Sequence, residues 1–133
     1  MKPLESKFVV CADPEGNMEE VRRILQLWGC RTRSVRTTDE LYDVLKSRPV
    51  DLIVAFICRT SPLALQFLPS AGYTEDLPPV VVVACSADVD LYLEAMKTGA
   101  FDCVPLPLNE KEFSRIVSRA LIERPARLAP VAV

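Results

Sequence analysis

The sequence predicts an α/β domain in which a parallel sheet is covered by helices on both faces. Short apolar runs alternate along the chain with segments whose apolar residues recur at helical spacing. The inner runs are apolar at nearly every position, which is typical of parallel strands buried on both sides. With 133 residues, of which 50% are hydrophobic and 26% charged, the chain has the size and composition of one globular domain.

The first strand and helix are predicted from the segment that ends at Gly29. Lys7–Ala12 is a short run of Phe and Val and predicts the strand. Asp13 and Pro14 predict the helix start, because Asp accepts free amide hydrogens and Pro fits the first turn. Gly29 supplies the left-handed end of the helix. The residues at helical spacing between them are Met18, Val21, Ile24, Leu25 and Trp28.

The next strand and helix differ in character. Arg31–Val35 alternates polar and apolar residues and predicts an exposed edge strand. Its neighbouring arginines are typical of an edge protected against aggregation, and they are a weaker sign of a nucleic-acid patch. Thr37 and Glu40 form a capping-box pattern before a helix. The predicted buried face of that helix is Leu41, Val44 and Leu45.

The middle of the chain holds the most apolar segments. Asp51–Cys58 predicts a central strand, and Val80–Ala84 predicts another. Between them, Ser61 and Pro62 predict the start of a short helix, and the segment from Pro69 to Pro79 predicts a loop.

The last third of the chain predicts a helix, a strand and a helix. Gly99 ends the first helix, Cys103 begins the short strand, Pro105 cuts it off, and Asn109 caps the final helix. The predicted apolar faces are Val89, Leu93 and Met96 in the first helix and Phe113, Ile116, Val117 and Ala120 in the second. We predict a domain over residues 1–122, and a flexible Pro/Ala-rich tail or linker over 123–133.

About five strands alternating with about five helices predict a doubly wound (βα)5 sheet in the flavodoxin-like strand order 2-1-3-4-5. Ligands of such folds bind at the carboxyl ends of the strands. Those ends are predicted to be Ala12 and Asp13, Phe56, Ala84 and Leu106.

Composition excludes several classes of function. The chain has no histidine, which excludes Ser–His–Asp and Cys–His catalysis and histidine metal ligands. The net charge of −2 favours neither nucleic acid nor an anionic membrane as a partner of this domain. The start of the chain has no export signal, so we expect a cytoplasmic protein with reduced thiols.

Little at the predicted strand ends points to catalysis or to a cofactor. The ADPEGN turn holds a single glycine, which argues against a phosphate-binding loop. Asp13 is the only carboxylate directly at a strand end, where a magnesium site needs two or three. We therefore expect no cofactor, no resident metal and no enzyme activity. For Asp13 itself we favour a helix cap; the alternatives are a remnant metal ligand or a partner of Arg59.

The five cysteines leave two readings open. Cys11, Cys58 and Cys85 fall near the carboxyl ends of neighbouring strands, where they could form a metal or redox cluster. No CxxC spacing is present, and free cysteine is among the most buried residue types. We favour buried, free thiols.

Four segments resemble the receiver domain of two-component response regulators. KFVVCADPE resembles the opening strand with its acidic pair, and VDLIVAF resembles the strand of the phosphoacceptor aspartate. PPVVVVACS resembles the strand with the switch Ser or Thr, and LEAMKTGAFDCVPLPL resembles the closing segment. The resemblance covers roughly residues 7–121 and implies a role in bacterial two-component or phosphorelay signalling.

The positions that carry the family's chemistry are mostly replaced. By resemblance, these positions are Ala12 and Asp13 for the acidic pair, Phe56 for the phosphoacceptor, Ala84 for the switch hydroxyl, Cys103 for the aromatic switch and Leu106 for the lysine. The following Pro107 is kept, and the resemblance implies a cis peptide bond before it.

These replacements predict a pseudo-receiver, in which the fold is kept and aspartate phosphorylation is lost. Phe56 next to small Ala12 and Ala84 suggests a polar pocket rebuilt as an apolar plug of similar volume. The domain would then act by phosphorylation-independent protein contacts. The alternatives are a receiver with a non-standard acceptor and a signalling domain that binds a small molecule.

The resemblance also implies a surface for partners or for a homodimer. It is formed by the fourth helix, the fifth strand and the fifth helix of the predicted fold. In this sequence it comprises Tyr92, Lys97, Phe101, Lys111, Arg115 and Arg119.

Overall fold

The computed structural model describes residues 6–58 and 78–128, with side chains described up to Ile122. The predicted short helix at Ser61 and Pro62, most of the predicted loop that follows it, and Arg59 lie outside the described residues.

Five parallel strands form one sheet in the order β2-β1-β3-β4-β5, which confirms the predicted topology. The predicted edge strand does lie at an edge, and the two most apolar strands lie inside the sheet. The strands are β1 (Phe8–Ala12), β2 (Arg31–Val35), β3 (Leu52–Ile57), β4 (Val80–Ala84) and β5 (Asp102–Pro105).

Four helices lie within the described part of the chain. They are α1 (Glu19–Leu27), α2 (Thr38–Ser47), α3 (Val89–Thr98) and α4 (Glu110–Leu128). The helices predicted as fourth and fifth are thus α3 and α4. Helix α4 continues six residues past the domain boundary predicted at 122. None of these helices is long and apolar enough to cross a membrane.

Side chains that alternate along the strands form two apolar clusters, one on each face of the sheet. The α2/α3 cluster comprises Val10, Ala12, Ala55, Ile57, Ala84 and Cys103 from the strands, with Leu41, Val44, Leu91 and Ala95 from the helices. The α1/α4 cluster comprises Cys11, Val54, Phe56, Val83 and Val104, with Val21, Ile24, Leu25, Phe113, Ile116 and Val117. Burial of one such aliphatic or aromatic side chain contributes about 1.5–3 kcal/mol, so both faces stabilise the sheet.

The predicted helix ends are largely confirmed. Thr37 Oγ1 accepts a hydrogen bond from the Glu40 amide at 3.1 Å, and Glu40 Oε1 accepts one from the Thr37 amide at 3.3 Å. This is the predicted capping box. Asn109 Oδ1 accepts from the Glu112 amide at 3.0 Å in the first turn of α4. Gly99 ends α3 in the left-handed region with a φ of 118°.

The predicted start of the first helix is wrong. Helix α1 begins at Glu19, and Asp13 and Pro14 belong to a loop before it. Within this loop Gly16 has a φ of 76°, a left-handed conformation that ordinary side chains adopt rarely and that interrupts a helix. Asp13 and Pro14 are of the residue types that often begin a helix, but α1 begins only at Glu19.

The predicted apolar face of α3 is confirmed for Met96, which packs against the α2/α3 cluster, and is wrong for Val89 and Leu93. Val89 is 71% exposed and Leu93 is 56% exposed, whereas Leu91 and Ala95 are buried against the sheet. Both sets recur at helical spacing, so periodicity alone does not tell which one faces the core. The result is an apolar stripe on the outside of α3.

The capping box generates the first prediction. Thr37→Ala removes the side-chain acceptor of the Glu40 amide, and we expect the free energy of unfolding to fall by about 1 kcal/mol. Urea denaturation followed by circular dichroism measures this change. In the control, Thr38→Ala, a hydroxyl outside the capping box is removed, and we expect a change below about 0.5 kcal/mol. Equal losses in the two variants would contradict the assignment.

Candidate functional site

The candidate site lies at the carboxyl edge of the sheet, where the parallel strands end together. Ala12 is in register with Ala55, and Ala84 is in register with both Ile57 and Pro105. The structure therefore brings the predicted strand ends to one edge, as the topology requires.

Phe56 and Leu106 lie on the α1/α4 side of this edge. Phe56 is 5% exposed and belongs to the α1/α4 cluster, against which half-buried Leu106 also packs. The Leu106 amide donates to the Ala84 carbonyl at 2.9 Å, which continues the contact between β4 and β5. The Leu106–Pro107 peptide bond is cis, as predicted.

Ala12, Ala84 and Cys103 lie on the opposite side, in the α2/α3 cluster. The expectation that Phe56 fills the volume left by Ala12 and Ala84 is therefore wrong. Phe56 is in register with Val83, so its side chain points to the other face of the sheet from that of Ala84. The apolar replacements form two separate packing regions instead of one plug.

A cavity of about 210 Å³ opens on the α2/α3 side, between β4, β5 and the start of α3. Its position follows from the small side chains of Ala84 and Cys103. The lining residues are Ala84, Ser86, Ala87, Asp88, Val89, Tyr92, Cys103 and Pro105. Asp88 at its rim also caps α3, since its Oδ1 accepts from the amides of Asp90 at 2.9 Å and Leu91 at 3.3 Å. Asp88 was not among the predicted helix caps, although an Asp just before an apolar helix is a known signal for one.

Asp13 is the one buried charged residue in the described part of the chain, with 6% of its surface exposed. Its Oδ1 accepts from the Asn17 amide at 2.7 Å, and its Oδ2 accepts from the Met18 amide at 3.0 Å. We expected Asp13 to cap the first turn of the helix. Instead, its carboxylate accepts hydrogen bonds from the loop that precedes α1. Both carboxylate oxygens accept hydrogen bonds from the backbone, which supports a structural role for Asp13.

The cysteines contradict the expectation of five reduced, free thiols. Cys58, directly after β3, and Cys85, directly after β4, form a disulfide with a Cα–Cα distance of 5.2 Å. Cys11, Cys30 and Cys103 take no part in a disulfide and are buried. Burial raises the pKa of Cys11 to about 12 and the pKa values of Cys30 and Cys103 to about 11, so all three remain neutral thiols at neutral pH.

No group of three or more Asp, Glu, His or Cys side chains within residues 6–58 and 78–122 is arranged to hold a metal ion. Cys11 takes no part in the disulfide. The alternative of a cluster of three cysteines, which we did not favour, is thus reduced to a bonded pair that periodicity and spacing could not identify.

The predicted interaction surface is largely exposed. Tyr92 is 42% exposed, and the four cationic residues of the surface are exposed as well. Phe101 is half-buried, with the Arg119 guanidinium 5.8 Å from its ring centre. Val89 and Leu93 lie on α3 near Tyr92 in sequence and extend the apolar part of this surface. We name Val89, Tyr92 and Leu93 the α3 stripe.

No protein-family model matches the chain. The chain is 25% identical over 101 residues to the DNA-binding transcriptional regulator NtrC of Klebsiella pneumoniae, over 76% of this chain. It is 38% identical over 53 residues, or 40% of this chain, to the C4-dicarboxylate transport transcriptional regulatory protein DctR of Rhodobacter capsulatus. The matched regions span only 22% and 27% of those two proteins.

The fold is similar to that of a response regulator receiver protein from Burkholderia phymatum. The two structures superpose with a TM-score of 0.67 at 24% sequence identity. The match covers 87% of this chain and 95% of that one. Similarity at this level of identity establishes the fold.

The hydrogen bonds of Asp13 generate the second prediction. Asp13→Ala leaves two backbone amides without their acceptor, and we expect the free energy of unfolding to fall by about 2–4 kcal/mol. Asp13→Asn keeps one oxygen acceptor and should lose about half as much. Both are measured by urea denaturation in buffer with a metal chelator. Unchanged stability of Asp13→Ala under these conditions would contradict the loop-holding role and favour the metal-ligand alternative.

Proposed function

Because the chain has the fold of response regulator receiver domains, we propose that it is a receiver-like signalling module that works without aspartate phosphorylation. It acts through protein contacts, with no catalytic step of its own and no cofactor. We place it in two-component signalling in the cytoplasm.

The observation that carries this proposal is the environment of Phe56. At the position that resembles the phosphoacceptor, the chain has a phenyl group that is 5% exposed and packed in the α1/α4 cluster. Phosphoryl transfer needs an accessible nucleophilic oxygen, with cations that neutralise the phosphoryl charge. Phe56 offers no oxygen, and Leu106 offers no cation.

Within the described residues, three carboxylates near the strand ends are poor substitutes for the missing acceptor. Asp51 lies before β3, where its Oδ2 accepts from the Phe8 amide at 2.9 Å. Asp102 begins β5, where its Oδ1 accepts from the Cys103 amide at 2.7 Å. Both residues lie at the amino ends of their strands, a strand length away from the candidate site. Asp13 is at the correct edge, but it is buried and accepts hydrogen bonds from two loop amides.

The surface of α3, β5 and α4 supports protein contact as the output. Helix α3 presents the apolar α3 stripe, and exposed cations follow along α4. Lys111, Arg115 and Arg119 are spaced four residues apart, which places them on one side of that helix. An apolar centre flanked by charge is typical of a protein interface. We take a second copy of this chain as its partner, because Glu94 and Lys97 on α3 let a two-fold contact pair unlike charges.

The cavity between β4, β5 and α3 supports a second candidate, a domain that binds a small molecule. Its volume of about 210 Å³ and its alanine, valine and proline lining suit a compact apolar ligand. Sites for larger ligands usually measure roughly 300–1,000 Å³. The cavity is thus a weaker argument than the environment of Phe56.

Loss of phosphorylation gives the third prediction. After incubation with a small phosphodonor and magnesium, we expect the intact mass of the protein to be unchanged, because Phe56 at the position that resembles the phosphoacceptor offers no nucleophilic oxygen. A receiver domain that carries the acceptor aspartate serves as the positive control in the same buffer. A mass increase of one phosphoryl group that disappears when a single Asp is replaced would contradict the proposal and favour a non-standard acceptor.

The surface gives the fourth prediction. We expect the protein to sediment as a concentration-dependent mixture of monomer and dimer. Replacing Tyr92 by Ala and Leu93 by Ser together should weaken self-association at least about tenfold, equivalent to about 1.4 kcal/mol, because the apolar contact is lost. Analytical ultracentrifugation measures both.

The matched control for this experiment is Leu27→Ser. Leu27 is 72% exposed at the end of α1, so its replacement removes apolar surface outside the proposed interface. We expect its self-association to equal that of the unmodified chain. A dimer through this surface would be refuted if the unmodified chain were a monomer at every concentration. It would also be refuted if Leu27→Ser weakened self-association as much as the double replacement of Tyr92 and Leu93.

A further inference from the structure

The bonded pair of Cys58 and Cys85 differs from the other cysteines in exposure. Both side chains are only half-buried, whereas Cys11, Cys30 and Cys103 are buried. Thiol–disulfide exchange requires an accessible sulfur and a thiolate. Burial denies the three free cysteines access, and their raised pKa values keep them protonated. Only the bonded pair is placed to react.

The sheet keeps this pair together without the disulfide. Strands β3 and β4 remain in register up to Ile57 and Ala84, the residues immediately before the two cysteines. The Cys85 amide then donates to the Ile57 carbonyl at 2.9 Å. The Cα–Cα distance of 5.2 Å lies within the range that a disulfide requires. Backbone hydrogen bonds therefore hold two reduced thiols at bonding distance, which favours re-oxidation over reaction with other partners.

We propose that Cys58 and Cys85 form a reversible redox modification site whose oxidising substrate is a low-molecular-weight disulfide. One state of the site is a dithiol, and the other is the disulfide seen in the structure. The proposal goes beyond the proposed protein-binding function and uses no phosphoacceptor. In a cytoplasm, where stable disulfides are rare, a disulfide is more often transient and redox-sensing than structural.

The reaction proceeds in two exchange steps. The thiolate of one cysteine attacks a sulfur of the small disulfide, whose S–S bond breaks and whose other half leaves as a thiolate that takes up a proton. The thiolate of the second cysteine then attacks the protein sulfur of this mixed disulfide. The protein disulfide forms and the second small thiol leaves. In total, two protein thiols are oxidised, and one small disulfide is reduced to two thiols.

The position of Cys85 connects this chemistry to α3. Its neighbours Ala84 and Ser86 both line the cavity. The Ser86 carbonyl accepts from the Asp88 amide at 2.9 Å, and Asp88 caps α3. Formation of the disulfide therefore fixes the segment that begins α3. An effect on partner binding through α3 rests on the proposed function, whereas the redox site itself does not.

The experiment titrates the full chain with defined ratios of oxidised to reduced glutathione, followed by denaturation in acid and labelling with a maleimide. Intact mass should show five labels at the reducing end and three at the oxidising end, because five cysteines are present and three stay free. Peptide mapping should find Cys58 linked to Cys85. The oxidised form should melt roughly 5–15 °C above the reduced form, because the link closes a loop with a sequence separation of 27.

Variants and hydrogen exchange complete the test. Cys58→Ser and Cys85→Ser should abolish the two-label change and each trap one glutathione, whereas the control Cys30→Ala should keep the change. In the unmodified chain, reduction should speed amide exchange at Cys85 and leave Val10 in the centre of β1 unchanged. Five labels at every ratio, three labels at the most reducing ratio, or a link between other cysteines would each overturn the proposal. Phosphorylation by the small phosphodonor would contradict the proposed function but has no bearing on these outcomes.

Discussion

The register of the five parallel strands is the constraint on which the rest of the structure depends. Strand β3 is buried along its whole length, so each residue has a packing partner on one face or the other. A shift of β3 by one residue would move each of its side chains to the opposite face of the sheet, where it would meet the other pair of helices. The same register decides that Phe56 packs toward α1 and α4 while Ala84 packs toward α2 and α3.

This constraint explains why the apolar replacements at the carboxyl edge have different consequences on the two faces. On the α1/α4 side, Phe56 and Leu106 extend an apolar cluster that already contains Val83 and Val104. On the α2/α3 side, Ala84 and Cys103 are too small to fill the space beside α3, and a cavity remains. Asp13, directly after β1, is a structural carboxylate, because two backbone amides donate hydrogen bonds to its oxygens.

Much of the fold could be predicted from the sequence, because strand burial, edge position and helix ends depend on local patterns. Asp51–Cys58 and the Thr37 capping box were predicted in this way and are confirmed. The start of α1 was not, because a left-handed Gly16 and the bonds of Asp13 outweigh the local helix-start signal. The outer face of α3 and the Cys58–Cys85 pair depend on how distant segments meet, which periodicity does not encode. The predicted roles of the site residues remain predictions.

Cys85 of the proposed redox pair, the lining of the cavity and the start of α3 lie close together in the sequence. Cys85 follows the last residue of β4, and Asp88, three residues later, caps the helix that carries the stripe. Between them, Ser86 and Ala87 line the cavity, so this segment has open space on one side. Ser86 and Ala87 are exposed, and segments with little burial open locally at a lower free-energy cost than packed strands do. In the proposed redox site, the covalent link at Cys85 would oppose such opening and so offer a way to control α3 that needs no phosphoryl group.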